Sequence, residues 1–348
     1  MRACRWWIAL CLLSSSVGAQ GAGSELLWQT NAGGDDIHVI DVRTGALTDR
    51  LVVGPQPHGL AATADGRTVF TTIEADGQRH GELARIDAMT LRVMSRSPIC
   101  REPHALAATP DGRWLYVPCR DGRYWVVDGH AGTATRQIET GGRPHNTQIS
   151  SDGRWAFLSP MGGTHDAFVV DIAADHRVVR RIRFGGSLRP SALSVDMRYL
   201  LQQIDGLNGF QVADLGLGSV IATVEHTTPL GGIRLPFLDH VGRLGIGGLK
   251  RCHGLAIRPD QREIWSACAD HVTVHELVRP DFREVSAIRL PAKGYWITFA
   301  PDSRYAFIAL SEAGRVAMID TRTKRIVTLL AAGTQPKRNL VLRQPAGK

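Results

Sequence analysis

Short apolar runs alternate with turn-forming residues along almost the whole chain. Each run mixes β-branched, aliphatic and aromatic residues over four or five positions, and most of them close with an aspartate. Runs of this length and composition, bounded by Asp, Thr and Gly, are typical of β-strands joined by tight turns. They occur at 37–41, 83–87, 124–128, 168–171, 210–214, 272–275 and 316–320. The pattern predicts an all-β protein with seven similar units.

A longer phrase recurs just before most of these runs. It begins as Pro-His-x-Leu and reaches Asp-Gly-Arg after four further residues, as in 57–67, with a truncated last copy at Pro336. Aligning the clear copies on Asp65, Asp111, Asp152, Asp196, Asp260 and Asp302 places one equivalent residue seven positions earlier in each. With the counterpart in the last copy, these "ring positions" are His58, His104, His145, Arg189, His253, Tyr295 and Lys337. They are separated by 46, 41, 44, 64, 42 and 42 residues. A period in the low forties predicts a seven-bladed β-propeller of four-stranded blades.

The two ends of the chain complete each other. Residues 26–30 and 37–41 predict strands that lack a preceding inner strand, whereas 339–343 predicts one strand with nothing after it. Joined, they form a last blade closed by N- and C-terminal strands, which removes exposed sheet edges.

The Asp-Gly-Arg turns and the strand ends of the type Val-Ile-Asp-x-x-Thr-Gly resemble those of the YVTN-repeat, or YncE-like, seven-bladed propeller family over about residues 26–345. This resemblance implies the propeller fold. Its implications for function are broader, because relatives include lactonase-like proteins, proteins associated with haem d1, accessory proteins of quinoproteins and proteins of unknown role.

The first residues differ from the repeats. Arg2 and Arg5 precede an apolar stretch and then small residues, so we expect residues 1–19 to be a cleaved signal peptide and residues 20–348 to form one propeller domain in the periplasm.

The net charge of +8 is spread through the repeats, which argues against nucleic acid as a partner. We expect no membrane span and a monomer. An insertion at 226–250 breaks the period and is expected on the upper face, where the inner strands begin.

Four cysteines lie outside the expected signal peptide. Cys100 and Cys252 precede the first strands of their blades, and Cys119 and Cys268 end the second strands. In an antiparallel pair these positions meet at one edge, which predicts the disulfides Cys100–Cys119 and Cys252–Cys268 in an oxidising compartment. Free or metal-bound thiols are the alternative.

The ring positions carry the strongest candidate chemistry. All seven residues are polar, and they are expected around one axial funnel. Imidazoles of His58, His104, His145 and His253 would suit Cu or Zn. Arg189 and Lys337 would attract an anionic small molecule or a haem-like cofactor, and Tyr295 would donate a hydrogen bond. The alternative is that Pro-His is only a turn preference, with each ring bonded to a carbonyl.

Other residues are expected to be structural. The acids Glu74, Asp76, Glu102, Asp166 and Asp270 are predicted to be solvated, and Trp114, Trp125, Trp155, Trp265 and Trp296 are predicted to pack between blades. Three functions remain open. The leading one is an exported binding or accessory protein whose funnel holds a metal, an anionic molecule or a cofactor. The others are a metal-dependent, lactonase-like hydrolase and a platform for a periplasmic partner protein.

Overall fold

The computed structural model describes residues 24–75, 77–227, 252–277 and 281–344, and this part of the chain contains strands and turns without any helix. It therefore includes no helix that could cross a membrane. The expected signal peptide lies outside the described residues, as does the predicted insertion from residue 228 to residue 250.

In this part of the chain, twenty-eight strands form seven antiparallel sheets of four strands each. The chain starts with β1 (Glu25–Asn31), β2 (Asp36–Asp41) and β3 (Leu47–Val52). Blade 1 contains β4 (Pro57–Ala62), β5 (Thr68–Ile73), β6 (Glu82–Asp87) and β7 (Arg92–Pro98). Blade 2 contains β8 (Ala107–Ala108), β9 (Trp114–Pro118), β10 (Arg123–Asp128) and β11 (Thr133–Glu139). Blade 3 contains β12 (Arg143–Ile149), β13 (Trp155–Met161), β14 (Asp166–Asp171) and β15 (Arg177–Arg183).

The second half repeats this order. Blade 4 contains β16 (Leu188–Leu193), β17 (Tyr199–Ile204), β18 (Gly209–Asp214) and β19 (Ser219–Glu225). Blade 5 contains β20 (Cys252–Ile257), β21 (Glu263–Cys268), β22 (His271–Glu276) and β23 (Glu284–Arg289). Blade 6 contains β24 (Gly294–Phe299), β25 (Tyr305–Leu310), β26 (Arg315–Asp320) and β27 (Arg325–Ala331). The last strand, β28 (Pro336–Arg343), forms blade 7 with β1, β2 and β3. The predicted seven-bladed propeller is confirmed.

Blade 7 joins the two chain ends. Its sheet has the order β28-β1-β2-β3, and the pairing runs from Glu25 opposite Arg343 to Asn31 opposite Pro336. The C-terminal strand is therefore the inner strand of this blade, as its pattern predicts, and it begins three residues earlier than expected, at Pro336.

The apolar core lies between neighbouring blades. One cluster joins Leu26, Trp28 and Val39 of blade 7 to Val69 and Ile86 of blade 1, and six further clusters fill the other interfaces in the same way. Each strand alternates its side chains between two faces, and each face packs on an adjacent blade. Burial of apolar surface at seven interfaces thus holds the ring closed.

The Asp-Gly-Arg phrases form the predicted turns. In blade 1 the carboxylate of Asp65 accepts hydrogen bonds from the hydroxyl of Thr63 at 2.6 Å and from the backbone N–H of Arg67 at 3.0 Å. Gly66 follows with a φ of 68°, in the left-handed region that glycine enters without steric cost. The Asp is common to all six turns, whereas Met197, Gln261 and Ser303 adopt the same left-handed φ at the position of Gly66 in three of them.

Both predicted disulfides are present, so the thiol alternative is wrong. Cys100 bonds to Cys119 and Cys252 bonds to Cys268, with sequence separations of 19 and 16 residues. Loops of this size predict a stabilisation of about 3 kcal/mol for each bond on the chain-entropy estimate.

Candidate ligand site at the channel mouth

Bulges at the starts of the inner strands turn the ring positions toward the axis. In blade 1 the pairing steps from Pro57 opposite Ile73 to Leu60 opposite Thr71, so that His58 lies in an irregular stretch of the ladder. The same shift includes the ring position in blades 3 to 7. A bulge re-aims a side chain and leaves backbone groups unpaired, which explains why sites often form there.

Buried polar side chains of the second and third strands satisfy the backbone at these bulges. The hydroxyl of Thr30 donates to the carbonyls of His58 at 3.0 Å and Arg338 at 3.1 Å. The amide of Gln203 donates to the carbonyl of Gly254 at 2.9 Å, and the Tyr124 hydroxyl accepts from the N–H of His145 at 3.0 Å. These hydrogen bonds offset the cost of burying backbone groups that the bulges leave without ladder partners. They also fix the direction of the ring side chains.

The side chains at the ring positions converge. Ring centroids are 3.8 Å apart for His58 and His104, 4.6 Å for His104 and His145, 5.8 Å for His145 and His253, and 3.9 Å for His253 and Tyr295. The Nζ of Lys337 lies 4.0 Å from the centroid of Tyr295, which continues the circle. The structure thus brings these residues together at one mouth, although they are spread over the whole sequence.

Arg189 completes the set from blade 4. Its side chain is buried, its Nε lies 3.2 Å from Oδ1 of Asp205, and its Nη1 lies 3.0 Å from the sulfur of Met161. Burial lowers the pKa of Arg189, and the Asp205 carboxylate counteracts this effect. Asp205 of blade 4 and Met161 of blade 3 therefore hold the guanidinium in place.

Glu74 is not solvated, which corrects the expectation for this acid. Its Oε1 lies 2.5 Å from Nδ1 of His104 and 3.2 Å from Nδ1 of His58, and only 18% of its side chain is exposed. Burial alone raises the pKa of Glu74, but the two facing imidazoles outweigh burial and lower it, so the carboxylate is ionised. Of the other acids, Glu102 forms an ion pair of 3.3 Å with Arg120.

The ring imidazoles are neutral at neutral pH. Burial lowers the pKa of His58 to about 3 and also lowers that of His104. Burial, together with neighbouring imidazoles and guanidinium groups, holds the pKa values of His145 and His253 well below the ordinary range. Positive charge at the mouth therefore comes from Arg and Lys side chains, while the imidazoles supply lone pairs and N–H donors.

Arg338 was missed by the sequence analysis. It follows Lys337 in the inner strand of blade 7 and is 3% exposed. Its guanidinium carbon lies 3.6 Å from the ring centroid of Trp296, and Nη2 donates to Oδ1 of Asn146 at 3.2 Å. Burial lowers the pKa of Arg338 to about 10. Trp296 is thus part of the channel wall rather than of a blade interface, contrary to its prediction.

Two cavities lie along the axis. The upper one has a volume of about 290 Å³, and its wall includes Glu74, Glu102, Arg120, Arg143, Arg189 and Lys293 with three of the ring histidines. The lower one, of about 410 Å³, is lined by residues in and beside the inner strands and includes Arg338 and Trp296. Four cationic side chains against two carboxylates make the upper cavity electropositive, a setting that concentrates anions.

One further alignment could have found Glu74. The residues nine positions after the repeat aspartates are Glu74, Arg120, Met161, Asp205, Ala269 and Ser311. Two of them contact the ring residue of their own blade, because Glu74 faces His58 and Asp205 faces Arg189. Arg338 had only a weaker signal, since its position is occupied by Gly59, Asn146 and Trp296 in other copies.

Comparisons with known proteins agree with the propeller fold. The cytochrome D1 heme domain family matches residues 64–165, which belong to the first three blades. No curated protein matches the chain. The narrower YVTN-type assignment remains a resemblance.

Solved structures share the fold at low sequence identity. The periplasmic gluconolactonase PpgL of Pseudomonas aeruginosa is 18% identical with a TM-score of 0.72, over 93% of this chain and 100% of that one. Hydrazine synthase of Kuenenia stuttgartiensis is 18% identical with a TM-score of 0.66, over 83% of this chain and 95% of that one. Dihydro-heme d1 dehydrogenase NirN, solved with DHE, is 18% identical with a TM-score of 0.63, over 88% of this chain and 63% of that one.

The channel mouth fits a tetrapyrrole only in part. Arg and Lys side chains suit its carboxylates, and neutral imidazoles suit a central metal. The upper cavity of about 290 Å³, however, is at the lower end of the roughly 300–1,000 Å³ that encloses drug-sized ligands, and a macrocycle is larger than these. The upper cavity by itself is therefore too small to enclose a haem-like group.

Proposed function

We propose that the protein binds a small organic anion, a carboxylate or a phosphate ester, at the channel mouth, and that it acts as an exported binding or accessory protein of the periplasm. The basic N-terminal segment with its apolar stretch and the two disulfides support export to an oxidising compartment.

The buried charge of Arg338 carries this proposal. Within residues 24–75, 77–227, 252–277 and 281–344, no carboxylate lies within 4.0 Å of its guanidinium, and its Nε has no hydrogen-bond partner. A buried cation without an anion is costly, whereas a charge-assisted hydrogen bond to a carboxylate or phosphate offsets that cost. The more distant Glu74 carboxylate raises the pKa of Arg338 but does not outweigh burial, so the guanidinium is arranged for a further anion from outside the described residues.

We expect an anion to enter through the upper cavity and to reach Arg338, which lines the lower cavity. Arg143 and Lys293 line its wall, and Lys337 lies beside it over Tyr295. The field of these groups raises the local concentration of anions and is screened by salt. The small volume favours a compact guest over a macrocycle.

Calorimetry with the full chain tests the proposal. Inorganic phosphate, citrate and gluconate are titrated at low and high ionic strength, and at least one should bind more weakly at high salt. Arg338→Met should weaken binding by roughly 10- to 100-fold, the worth of one hydrogen bond to a charged group. The matched control is Arg181→Met, an exposed arginine over Phe168 on the outer strand of blade 3.

These titrations distinguish anion binding from a platform for a partner protein and from haem binding. If no probe binds, or if Arg338→Met and Arg181→Met bind equally well, the proposal is wrong and the partner-protein platform gains. Tight binding of haemin with a shifted Soret band would contradict a compact guest.

A second candidate is hydrolysis of a lactone. The Glu74 carboxylate and the His104 imidazole form a close pair in the wall of the cavity, which suits general acid–base catalysis. The gluconolactonase similarity supports this candidate at the level of the fold alone. Gluconolactone opening should then exceed the spontaneous rate and be lost in Glu74→Gln; a rate equal to that of buffer would exclude it.

A further inference from the structure

We propose that His58, Glu74 and His104 form a binding site for one divalent transition-metal ion. The three residues belong to blades 1 and 2, and one potential ligand atom from each lies within 4.8 Å of the other two. The proposal concerns a metal ion and does not rest on the binding of an anion.

The spacing suits coordination. Oε1 of Glu74 lies 2.5 Å from one imidazole nitrogen and 3.2 Å from the other. Metal–ligand bonds of about 2.0–2.2 Å place neighbouring ligand atoms roughly 2.9–3.5 Å apart, so small movements would complete the set. Two imidazoles and one carboxylate are ligands that Zn²⁺, Fe²⁺ and Cu²⁺ accept, and they leave positions open.

Several imidazole nitrogens of His58 and His104 have no hydrogen-bond partner. Nε2 of His58 and Nε2 of His104 are buried and have no hydrogen-bond partner, and Nδ1 of His58 also lacks one of good geometry. Buried polar groups are normally paired, and Nδ1 of His58, which lies 3.2 Å from Oε1 of Glu74, would gain a partner from a cation held between them. A cation that accepts nitrogen and oxygen ligands is such a partner.

The site is open on one side. Glu74 and His104 line the upper cavity, whereas His58 is not part of its wall and is buried. An ion could therefore enter from the mouth and keep a coordination position directed to the cavity, as in sites with three protein ligands. The predicted ligands His145 and His253 lie farther around the ring, with the centroid of His145 4.6 Å from that of His104.

Two other clusters in the described residues fit less well. His226 lies near Cys252 and Cys268, but these cysteines form a disulfide and offer no thiolate. In the second, His226 and His275 use their ring nitrogens in bonds to each other, to Ser266 and to the carbonyl of Phe282. The site of Glu74 is the one with free nitrogen lone pairs.

Zinc titration tests the inference. The full mature chain, purified without a His tag and stripped with chelator, is titrated with Zn²⁺ in a non-coordinating buffer without added anions. One ion should bind per chain. Glu74→Gln and His104→Gln should each weaken binding by roughly 100-fold or more, because loss of a ligand exceeds the roughly 10–100-fold cost of losing an outer partner.

Controls separate the site from its surroundings. Glu102→Gln removes another carboxylate of the same cavity, one that pairs with Arg120, and should bind Zn²⁺ like the wild type. Arg338→Met should also retain Zn²⁺, so failure of anion binding and failure of metal binding are distinguishable.

A measurement on the wild type guards against misfolded variants. Co²⁺ should give visible d–d bands without thiolate charge transfer, and Zn²⁺ should displace it. No binding of Zn²⁺ by the wild type, or equal affinity in Glu74→Gln, would overturn the proposal.

Discussion

Nδ1 of His226 lies 3.0 Å from Nε2 of His275 in the buried interface of blades 4 and 5. Nδ1 of His275 donates to the carbonyl of Phe282 at 2.9 Å, so its Nε2 must accept from His226. The hydroxyl of Ser266 then donates to Nε2 of His226 at 3.0 Å. All four ring nitrogens are thus hydrogen-bonded when both rings are neutral. A further proton on Nε2 of His275 would face the N–H of His226.

This pair predicts acid sensitivity. Burial lowers the pKa of His226 to about 3 and also lowers that of His275, whereas both return to the ordinary 6.5 on unfolding. Below pH 6.5 the unfolded chain takes up protons that the folded chain refuses, so stability falls as the pH falls. Each such histidine contributes a slope of up to about 1.4 kcal/mol per pH unit.

Urea unfolding at a series of pH values between 6.5 and about 3 measures this slope. His226→Gln should be less stable at pH 7, through the lost hydrogen bonds, yet should show a shallower loss with falling pH. The same slope in both proteins would contradict the assignment of His226 as a neutral buried group.

Arg338→Met is predicted to separate stability from ligand binding. The substitution removes a buried guanidinium that has no carboxylate partner and retains an unbranched side chain near Trp296. Replacing buried charges by apolar groups is often neutral or stabilising by about 1–4 kcal/mol. We expect an unchanged or higher thermal midpoint with weaker anion binding. A loss of more than about 2 kcal/mol would mean that Arg338 is primarily structural.

Removal of the C-terminal strand should open the ring. A chain ending at Gln335 lacks all of β28, which pairs with β1 and supplies the ring position of blade 7. The edge of β1 and the apolar face toward blade 6 would then be exposed, so we expect aggregation or loss of cooperative unfolding. A chain ending at Gln344 retains β28 and serves as the control. Equal solubility and midpoints would show that closure adds little.

Each disulfide should stabilise its own blade. The double substitution Cys100→Ser and Cys119→Ser should lower the free energy of unfolding by about 3 kcal/mol, and so should the same change at Cys252 and Cys268. The first pair has an additional consequence, because Cys119 lines the upper cavity beside His104. We expect its loss to weaken anion binding as well. Reductant should destabilise the wild type through both disulfides and each doubly substituted protein only through the disulfide that it retains.

Much of the architecture was predictable from local signals. Asp65 and its five equivalents mark the same turn in six copies, and the truncated copy at Pro336 adds the seventh blade. Cys100 precedes the first strand of its blade and Cys119 ends the second. Because the two strands are antiparallel, these positions meet at one edge, which was enough to pair the cysteines. These inferences succeed because turns and hairpins depend on residues that are close in sequence.

The environment of Glu74 was not predictable in this way. A carboxylate at the end of a strand is normally solvated, and only the neighbouring blade brings His104 within 2.5 Å of it. Arg338 likewise is buried by Trp296 and Asn146, from blades 6 and 3, and nothing near it in the chain marks it as special.

The repeat alone was sufficient for the number of blades, the closure by both chain ends and the set of residues that face the axis, since each depends on a pattern that recurs along one strand or turn. The contacts among those residues, and the joining of Glu74 and Arg338 to them, came from the folded ring. Bulges set the direction of each ring side chain. The distances of a few ångströms between side chains of different blades then determine their charge, their protonation and their capacity to hold a ligand.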